Sequence, residues 1–180
     1  MCLVLPLALG AACKKRGQAP GGAASADPFA ALQVAIGGSS ACGVIAGGTV
    51  QCWGDNSYGQ LGDGGNTAVL VPKAVPGLTG VAEVDVGDAH ACARKVDGTV
   101  WCWGSGSGGA LGTGSTTNAR SPVQVPGLAG VRDLGTSGGN TCAVTADGGV
   151  WCWGSNVFGE SAQPEGTRDV PTPTRVAALG

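Results

Sequence analysis

Charged residues are scarce in this chain: they make up 12% of its 180 residues, and histidine occurs once, at position 90. A nucleic-acid surface needs clustered lysine or arginine, whereas residues 31–180 carry 11 acidic and 7 basic side chains, a net charge of −4. We therefore expect no nucleic-acid partner. A single histidine provides no histidine relay or metal cluster, and no local signature of paired catalytic groups occurs, so we expect neither enzymatic activity nor a cofactor.

Helix-period apolar patterns are also missing, and glycine is abundant instead, at 35 residues, with 10 prolines. This composition is typical of short strands joined by tight turns. Because 43% of the residues are hydrophobic, the chain can bury a core and is not expected to be disordered. The composition therefore predicts an all-β fold.

One motif recurs every 50 residues along the chain. Its three copies are CGVIAGGTVQCWG (42–54), CARKVDGTVWCWG (92–104) and CAVTADGGVWCWG (142–154). A long fixed period indicates a repeat architecture such as a solenoid or propeller. We divide the chain after residue 30 into three units, 31–80, 81–130 and 131–180.

The middle unit contains four strand-like runs. The first, VAEVDVG (81–87), alternates apolar and acidic residues and predicts a strand with Ala82, Val84 and Val86 on one face. The other runs are CARKV (92–96), TVWCWG (99–104) and SPVQVPGL (121–128). An Asp-Gly turn between the second and third runs predicts a hairpin, and the prolines of the last run favour an edge strand. Four antiparallel strands in so short a unit are typical of one propeller blade.

The residues DGTVWCWG (97–104), with His90 shortly before them, and the loop GDNSYGQLGDG (54–64) resemble the RCC1 (regulator of chromosome condensation) repeat family. The resemblance covers residues 31–180 and implies β-propeller blades. The resemblance implies a propeller of typically seven blades, so three units predict an incomplete, open arc. The resemblance also implies a structural, hydrogen-bonding role for His90. The third loop, GSNVFGESAQPEG (154–166), lacks the Gln-Leu-Gly core and is expected to differ in shape.

The hairpin register explains why each motif carries two cysteines. Cys92 lies opposite Cys102 across the Asp-Gly turn, at a separation that suits a disulfide. The predicted pairs are Cys42–Cys52, Cys92–Cys102 and Cys142–Cys152. Free buried thiols and a metal site are the alternatives, although no Cys-x2–4-Cys pair of the usual zinc type exists. Disulfides require an oxidising compartment.

The first residues of the chain predict export. CLVLPLALGAAC (2–13) is apolar, too short to span a bilayer, and ends in a lipobox-like Gly-Ala-Ala-Cys, so Cys13 is the predicted lipidation site. No basic residue precedes this run, so we expect the printed start to lie within the signal; a meaningless apolar segment is the alternative. Residues 14–30 read as a flexible tether. We expect an exported protein in the outer membrane, periplasm or medium.

The loops that follow each Trp-Gly, residues 54–66, 104–119 and 154–170, are expected to share one rim. Tyr58 and Phe158 occupy matching positions there and are candidate partner contacts; alternatively, each fills its own loop.

We therefore expect a non-catalytic interaction module with a protein partner that the sequence does not identify. Nucleotide exchange on a small GTPase, or enzyme inhibition, are the alternatives that the family resemblance implies. Open blade edges favour self-association, and Trp151 and Trp153 are expected to face a missing blade or water.

Overall fold

The computed structural model describes residues 31–164 and 166–177. The predicted signal, the lipidation site Cys13 and the tether at 14–30 lie outside these residues. Three four-stranded antiparallel sheets make up the fold, and each corresponds to one 50-residue unit. They form an open arc of all-β blades, as the repeat count predicts. No helix among the described residues is long and apolar enough to cross a membrane.

The strands follow the chain order from one edge of each sheet to the other. Blade one contains β1 (Ala31–Gly37), β2 (Ser40–Ile45), β3 (Thr49–Gly54) and β4 (Val69–Ala74). Blade two contains β5 (Val81–Val86), β6 (His90–Lys95), β7 (Val100–Gly104) and β8 (Ala119–Gln124), with a short 3-10 helix at Ser107–Gly109. Blade three contains β9 (Val131–Ser137), β10 (Asn140–Thr145), β11 (Val150–Ser155) and β12 (Asp169–Arg175).

Each proline-containing strand lies at a sheet edge, because a proline cannot donate to the ladder. The predicted run 121–128 is only partly strand: β8 ends at Gln124, and the following Val125 and Leu128 turn inward and are buried. Val75 and Leu78 do the same after β4. The end of each blade therefore contributes aliphatic side chains to the interface with the next blade.

Every blade has two unlike faces. We call the face that carries the disulfide the forward face, and the face that carries the tryptophans the back face. The core between blades one and two joins the Cys42–Cys52 side of blade one to Ala91, Ala93 and Trp103 of blade two. The blades therefore stack forward face on back face.

The second interface repeats this arrangement and corrects one expectation. Trp153 is fully buried and Trp151 is partly buried against blade two, in a core with Cys92 and Cys102. Both tryptophans therefore pack on blade two and not on a missing blade, and Trp151 stays partly exposed. The direction of the arc decides this, since the described residues 31–164 and 166–177 leave the back face of blade one and the forward face of blade three uncovered.

The first strand of blade two departs from simple alternation. A register shift between Val81 and Glu83 marks a β-bulge, which leaves Ala82 exposed and turns Glu83 inward. The carboxylate of Glu83 accepts a hydrogen bond from Arg94 Nε at 3.1 Å, which compensates for its burial. The prediction that Ala82 shares the apolar face is therefore wrong, because the extra residue of a bulge shifts the alternation.

The structure forms the three predicted disulfides, Cys42–Cys52, Cys92–Cys102 and Cys142–Cys152. In each, the two residues are directly opposed in the hairpin, with a Cα–Cα distance of 4.1 Å. The first two bridges are buried at blade interfaces, whereas Cys142 on the uncovered forward face is only partly buried.

We predict that the double variant C92A/C102A lowers the free energy of unfolding by about 2.5–3 kcal/mol, the loop-closure contribution for so short a loop, plus lost packing at the interface. C142A/C152A is the matched control, and it should cost less because its face is uncovered. Urea unfolding of the oxidised proteins measures both. Equal stability of all three proteins would contradict the prediction.

Candidate functional site

The long loops begin at the same end of all three sheets. They follow β3, β7 and β11, which end at Gly54, Gly104 and Ser155, and lie opposite the tight hairpin turns at the other end. The first two loops reach the outer strand of the next blade: the amide of Gly64 donates to Arg120 O at 2.9 Å, and that of Gly114 to Pro171 O at 2.7 Å. We call this end of the stack the loop rim.

A buried asparagine organises the first and third loops. Asn56 Oδ1 accepts the amide of Leu61 at 3.0 Å, while its Nδ2 donates to Asp63 Oδ1 and Thr67 O. Asn156 makes the same bonds to the amide of Ser161 and to Thr167 O. Sequence reasoning missed both residues, although they lie two repeat periods apart at matching positions. The second loop has Gly106 at this position and forms the 3-10 helix instead.

The third loop keeps the turn of the first loop, contrary to the expectation from its sequence. The amide of Gly62 donates to Gly59 O at 3.0 Å, and the amide of Ala162 donates to Gly159 O at 2.9 Å. Ala162 adopts a left-handed conformation, with φ of 52°, that glycine normally provides. The hydrogen bonds of Asn156 hold this turn although the Gln-Leu-Gly residues are absent.

The two sequence-predicted contact residues are exposed on this rim. Phe158 is 90% exposed and its neighbour Val157 is 62% exposed, whereas Tyr58 is 49% exposed. The backbone beside each aromatic is held in place, since the amide of Tyr58 donates to Gln60 Oε1 and that of Phe158 to Glu160 Oε2. Phe158 therefore does not fill its own loop, while Tyr58 is half covered.

The carboxylates of the first loop are held in their charged form. Hydrogen bonds from Ser57 lower the pKa of Asp55, and the hydrogen bond from Lys73, at 2.7 Å, lowers the pKa of Asp63. Both groups therefore carry negative charge on the rim at neutral pH.

A cleft of about 390 Å³ opens on the rim between blades two and three. Its lining includes Asp88, His90, Ser107, Ser155, Val157 and Asp169. Carboxylates and hydroxyls therefore line it together with Val157, which precedes the exposed Phe158 in the chain. This arrangement suits a side chain that donates hydrogen bonds.

His90 lies in the wall between the cleft and the blade interface, and it is 1% exposed. Its Nε2 is 2.9 Å from Thr141 Oγ1 in blade three, and that hydroxyl donates to Ala110 O at 3.2 Å. Because the hydroxyl hydrogen goes to Ala110, the imidazole Nε2–H donates to Thr141. Burial lowers the pKa of His90 from 6.5 to about 4, so the ring is neutral at physiological pH. The histidine joins two blades by hydrogen bonds, as the family resemblance implies.

Within the described residues, no group of three or more histidine, cysteine, aspartate or glutamate side chains is placed to hold a metal ion.

Two family models match the repeat units of this chain. A family model described as "Regulator of chromosome condensation (RCC1) repeat" matches residues 47–94 and 97–144. A second model with the same description matches residues 32–60, 81–110 and 131–160. A search of curated proteins finds no match.

Solved structures of β-propeller proteins share the fold. Human WBSCR16 is 26% identical, with a TM-score of 0.72, and the match covers 81% of this chain and 39% of that chain. Prp20p from Saccharomyces cerevisiae is 21% identical with a TM-score of 0.73, and the match covers 83% of this chain and 39% of that one. The chain thus spans about two fifths of the length of these structures.

We predict that stability falls as the pH is lowered from 6.5 to 4. The unfolded chain binds a proton at His90 near pH 6.5 but the folded protein only near pH 4, so protonation favours unfolding in this window. The loss should be on the order of 3 kcal/mol, at about 1.4 kcal/mol per pKa unit.

The variant His90→Asn, which takes the residue found at position 140, is the control. Its urea unfolding free energy should vary much less between pH 6.5 and 4. An equally steep pH dependence in the variant would assign the effect to other groups.

Proposed function

This chain belongs to the family of regulator of chromosome condensation (RCC1) repeats, and we propose that it is a non-catalytic, exported protein-interaction module. It binds a protein partner through the loop rim. The partner's chemistry follows from the rim: an apolar surface packs on Phe158, and a hydrogen-bond-donating or cationic side chain enters the adjacent cleft.

The observation that carries this proposal is the exposure of Phe158 on an ordered loop. Phe158 is 90% exposed and its chain neighbour Val157 is 62% exposed, and contiguous exposed apolar surface commonly marks a binding site. Because the backbone on both sides is held by hydrogen bonds to Glu160 and Asn156, little conformational entropy would be lost on binding. Such preorganisation favours affinity.

The residues that line the cleft favour a hydrogen-bond-donating or cationic side chain of the partner. Asp88 and Asp169 are exposed and lie in its lining, and the hydroxyls of Ser107 and Ser155 add further acceptors. The net negative charge of the repeats would also attract a basic segment.

Export is supported by the disulfides. Three bridges in a chain of this length are typical of proteins that fold in an oxidising compartment. The lipobox-like sequence ending at Cys13 is consistent with a lipid anchor. Self-association through open blade edges stays a prediction.

Nucleotide exchange on a small GTPase is the second candidate function. The structural relative Prp20p has been studied for its binding to Gsp1p and histones, and that relative has the same fold at 21% identity. A cytosolic location with reduced cysteines would favour this candidate, whereas enzyme inhibition would be favoured if the captured partner is a secreted enzyme.

We predict that Phe158→Ala lowers partner capture at least tenfold while the melting temperature stays unchanged, because the ring has few contacts to lose. Tyr58→Ala should have a smaller effect on capture, since that ring is half covered. The measurement is photocrosslinking and affinity capture from envelope and extracellular fractions.

Val96→Ala is the matched control for these variants. Val96 is 75% exposed but lies at the hairpin end, away from the rim. If Val96→Ala reduces capture as much as Phe158→Ala, or if Phe158→Ala reduces only thermal stability, the rim is not the binding surface.

We predict that the protein made in its native host is membrane-bound, with its six paired cysteines resistant to maleimide. Cys13→Ser should release it to the soluble envelope or extracellular fraction without exposing any thiol. Maleimide-reactive cysteines in a cytosolic protein would contradict the export proposal.

A further inference from the structure

At both blade interfaces, a tryptophan of one blade lies against a glycine turn in the loop of the preceding blade. We call the place that this turn provides for the ring the indole seat. The indole Nε1 of Trp103 donates to Gln60 O of blade one at 2.9 Å, and that of Trp153 donates to Ala110 O of blade two at 3.0 Å. Both rings lie on a glycine of the preceding loop, Gly62 or Gly112. The loop of each blade thus receives the tryptophan of the next.

The seat has no room for a side chain. A Cβ at Gly62 would lie 2.9 Å from Trp103 Nε1, and a Cβ at Gly112 would lie 2.8 Å from Trp153 Nε1. These distances are shorter than real Cβ contacts. The rings cannot move aside, because both tryptophans are fully buried.

Blade three carries alanine at the matching position. Ala162 occupies the same place in the same turn, as its amide bond to Gly159 O shows. Its methyl group therefore projects where a docking indole would lie. We propose that Ala162 and Ser161 close the forward face of blade three to any blade that docks through a Trp-Cys-Trp motif, whether in the same chain or in a second copy.

Position 161 provides an independent observation for the same conclusion. Leu61 and Leu111 are 1% exposed and belong to the cores between blades. Blade three has Ser161 instead, and its hydroxyl turns to its own blade, where it donates to Ser155 O and accepts from Asn140 Nδ2. An apolar contact for a following blade is replaced by internal hydrogen bonds.

Apart from the seat, the forward face of blade three resembles the forward faces of blades one and two. Blade three retains its disulfide and the valines at 144, 150 and 176, which match the positions of aliphatic residues in blade one. The change is therefore confined to the seat. At the other end of the arc, blade one still presents Trp53 on its uncovered back face, where it is partly exposed.

This asymmetry restricts how copies of the chain can associate. Trp53 of one copy on the forward face of blade three of another would be a head-to-tail contact, and such contacts produce rings or open filaments. The methyl group of Ala162, which occupies the seat of blade three, blocks that contact. Any self-association of the chain must use other surfaces.

The first test, in the full chain, is whether a side chain in the seat clashes with the docked tryptophan. Gly112→Ala should lower the melting temperature well beyond Gly127→Ala. Both glycines have positive φ, 67° and 72°, but a Cβ at Gly127 meets nothing within 4 Å, so this control isolates the clash from the backbone strain. Ala162→Gly should not lower the melting temperature. Equal losses for Gly112→Ala and Gly127→Ala would overturn the premise.

The proposal itself is tested by reopening the seat. The double variant S161L/A162G should associate over a 100-fold concentration series in sedimentation velocity, and Trp53→Ala should lower its association constant at least tenfold. The wild-type chain should show no such association. A double variant that melts at or above the wild-type temperature and gains no Trp53-dependent association would overturn the proposal.

One further variant distinguishes head-to-tail association of the wild-type chain from association through its back faces. Ala162→Asn enlarges the side chain in the seat, and asparagine tolerates the left-handed conformation. Association through back faces alone would be reduced by Trp53→Ala and not by Ala162→Asn, which the proposal allows. Wild-type association that both substitutions abolish would be head-to-tail and would refute it.

Discussion

The contact between a tryptophan indole and a glycine in the loop of the preceding blade determines how the blades stack. A four-stranded sheet with two apolar faces cannot be stable alone in water, and each blade here covers the forward face of its predecessor with its own back face. The fully buried tryptophan of the following blade lies in that contact, and its Nε1–H donates to a carbonyl of the preceding loop. A buried indole that lacked this acceptor would lose the hydrogen bond that it makes in water.

The same contact connects the core to the rim. A loop that accepts an indole at one point and pairs with the next outer strand at another has few conformations left. Stacking and loop order are therefore coupled in the first two loops, the first of which carries Tyr58. The third loop, which carries Phe158, is held by the hydrogen bonds of Asn156 instead. Loops on a rigid scaffold are a general means of presenting binding residues. His90 belongs to this coupling, because its bond to Thr141 joins two blades beside the cleft.

The three loops show how one turn tolerates different sequences. In the first and third loops, an asparagine bonded to two or three backbone groups holds the turn. It does so strongly enough for alanine to adopt the left-handed position in one of them. The residues that lie against the next blade can then vary without loss of the turn. The residues that form the turn are therefore separate from those that face the next blade, and position 162 carries alanine where positions 62 and 112 carry glycine.

The sequence alone predicted whatever depends on spacing within a blade. The 50-residue period, the hairpin register, the three cysteine pairs and the edge position of the proline strands follow from local geometry, because a turn and an alternation define which residues are opposed. The bulge at Val81–Glu83 escaped prediction, since one extra residue reverses the alternation without a signal in the sequence. The direction of stacking also could not be predicted, because both faces of a blade are apolar. Only the tertiary structure shows that tryptophans face backward, that Ala162 lies at the seat, and that the cleft at His90 is formed between two blades. The stacking direction and the cleft depend on contacts between residues 43 to 51 positions apart in the chain.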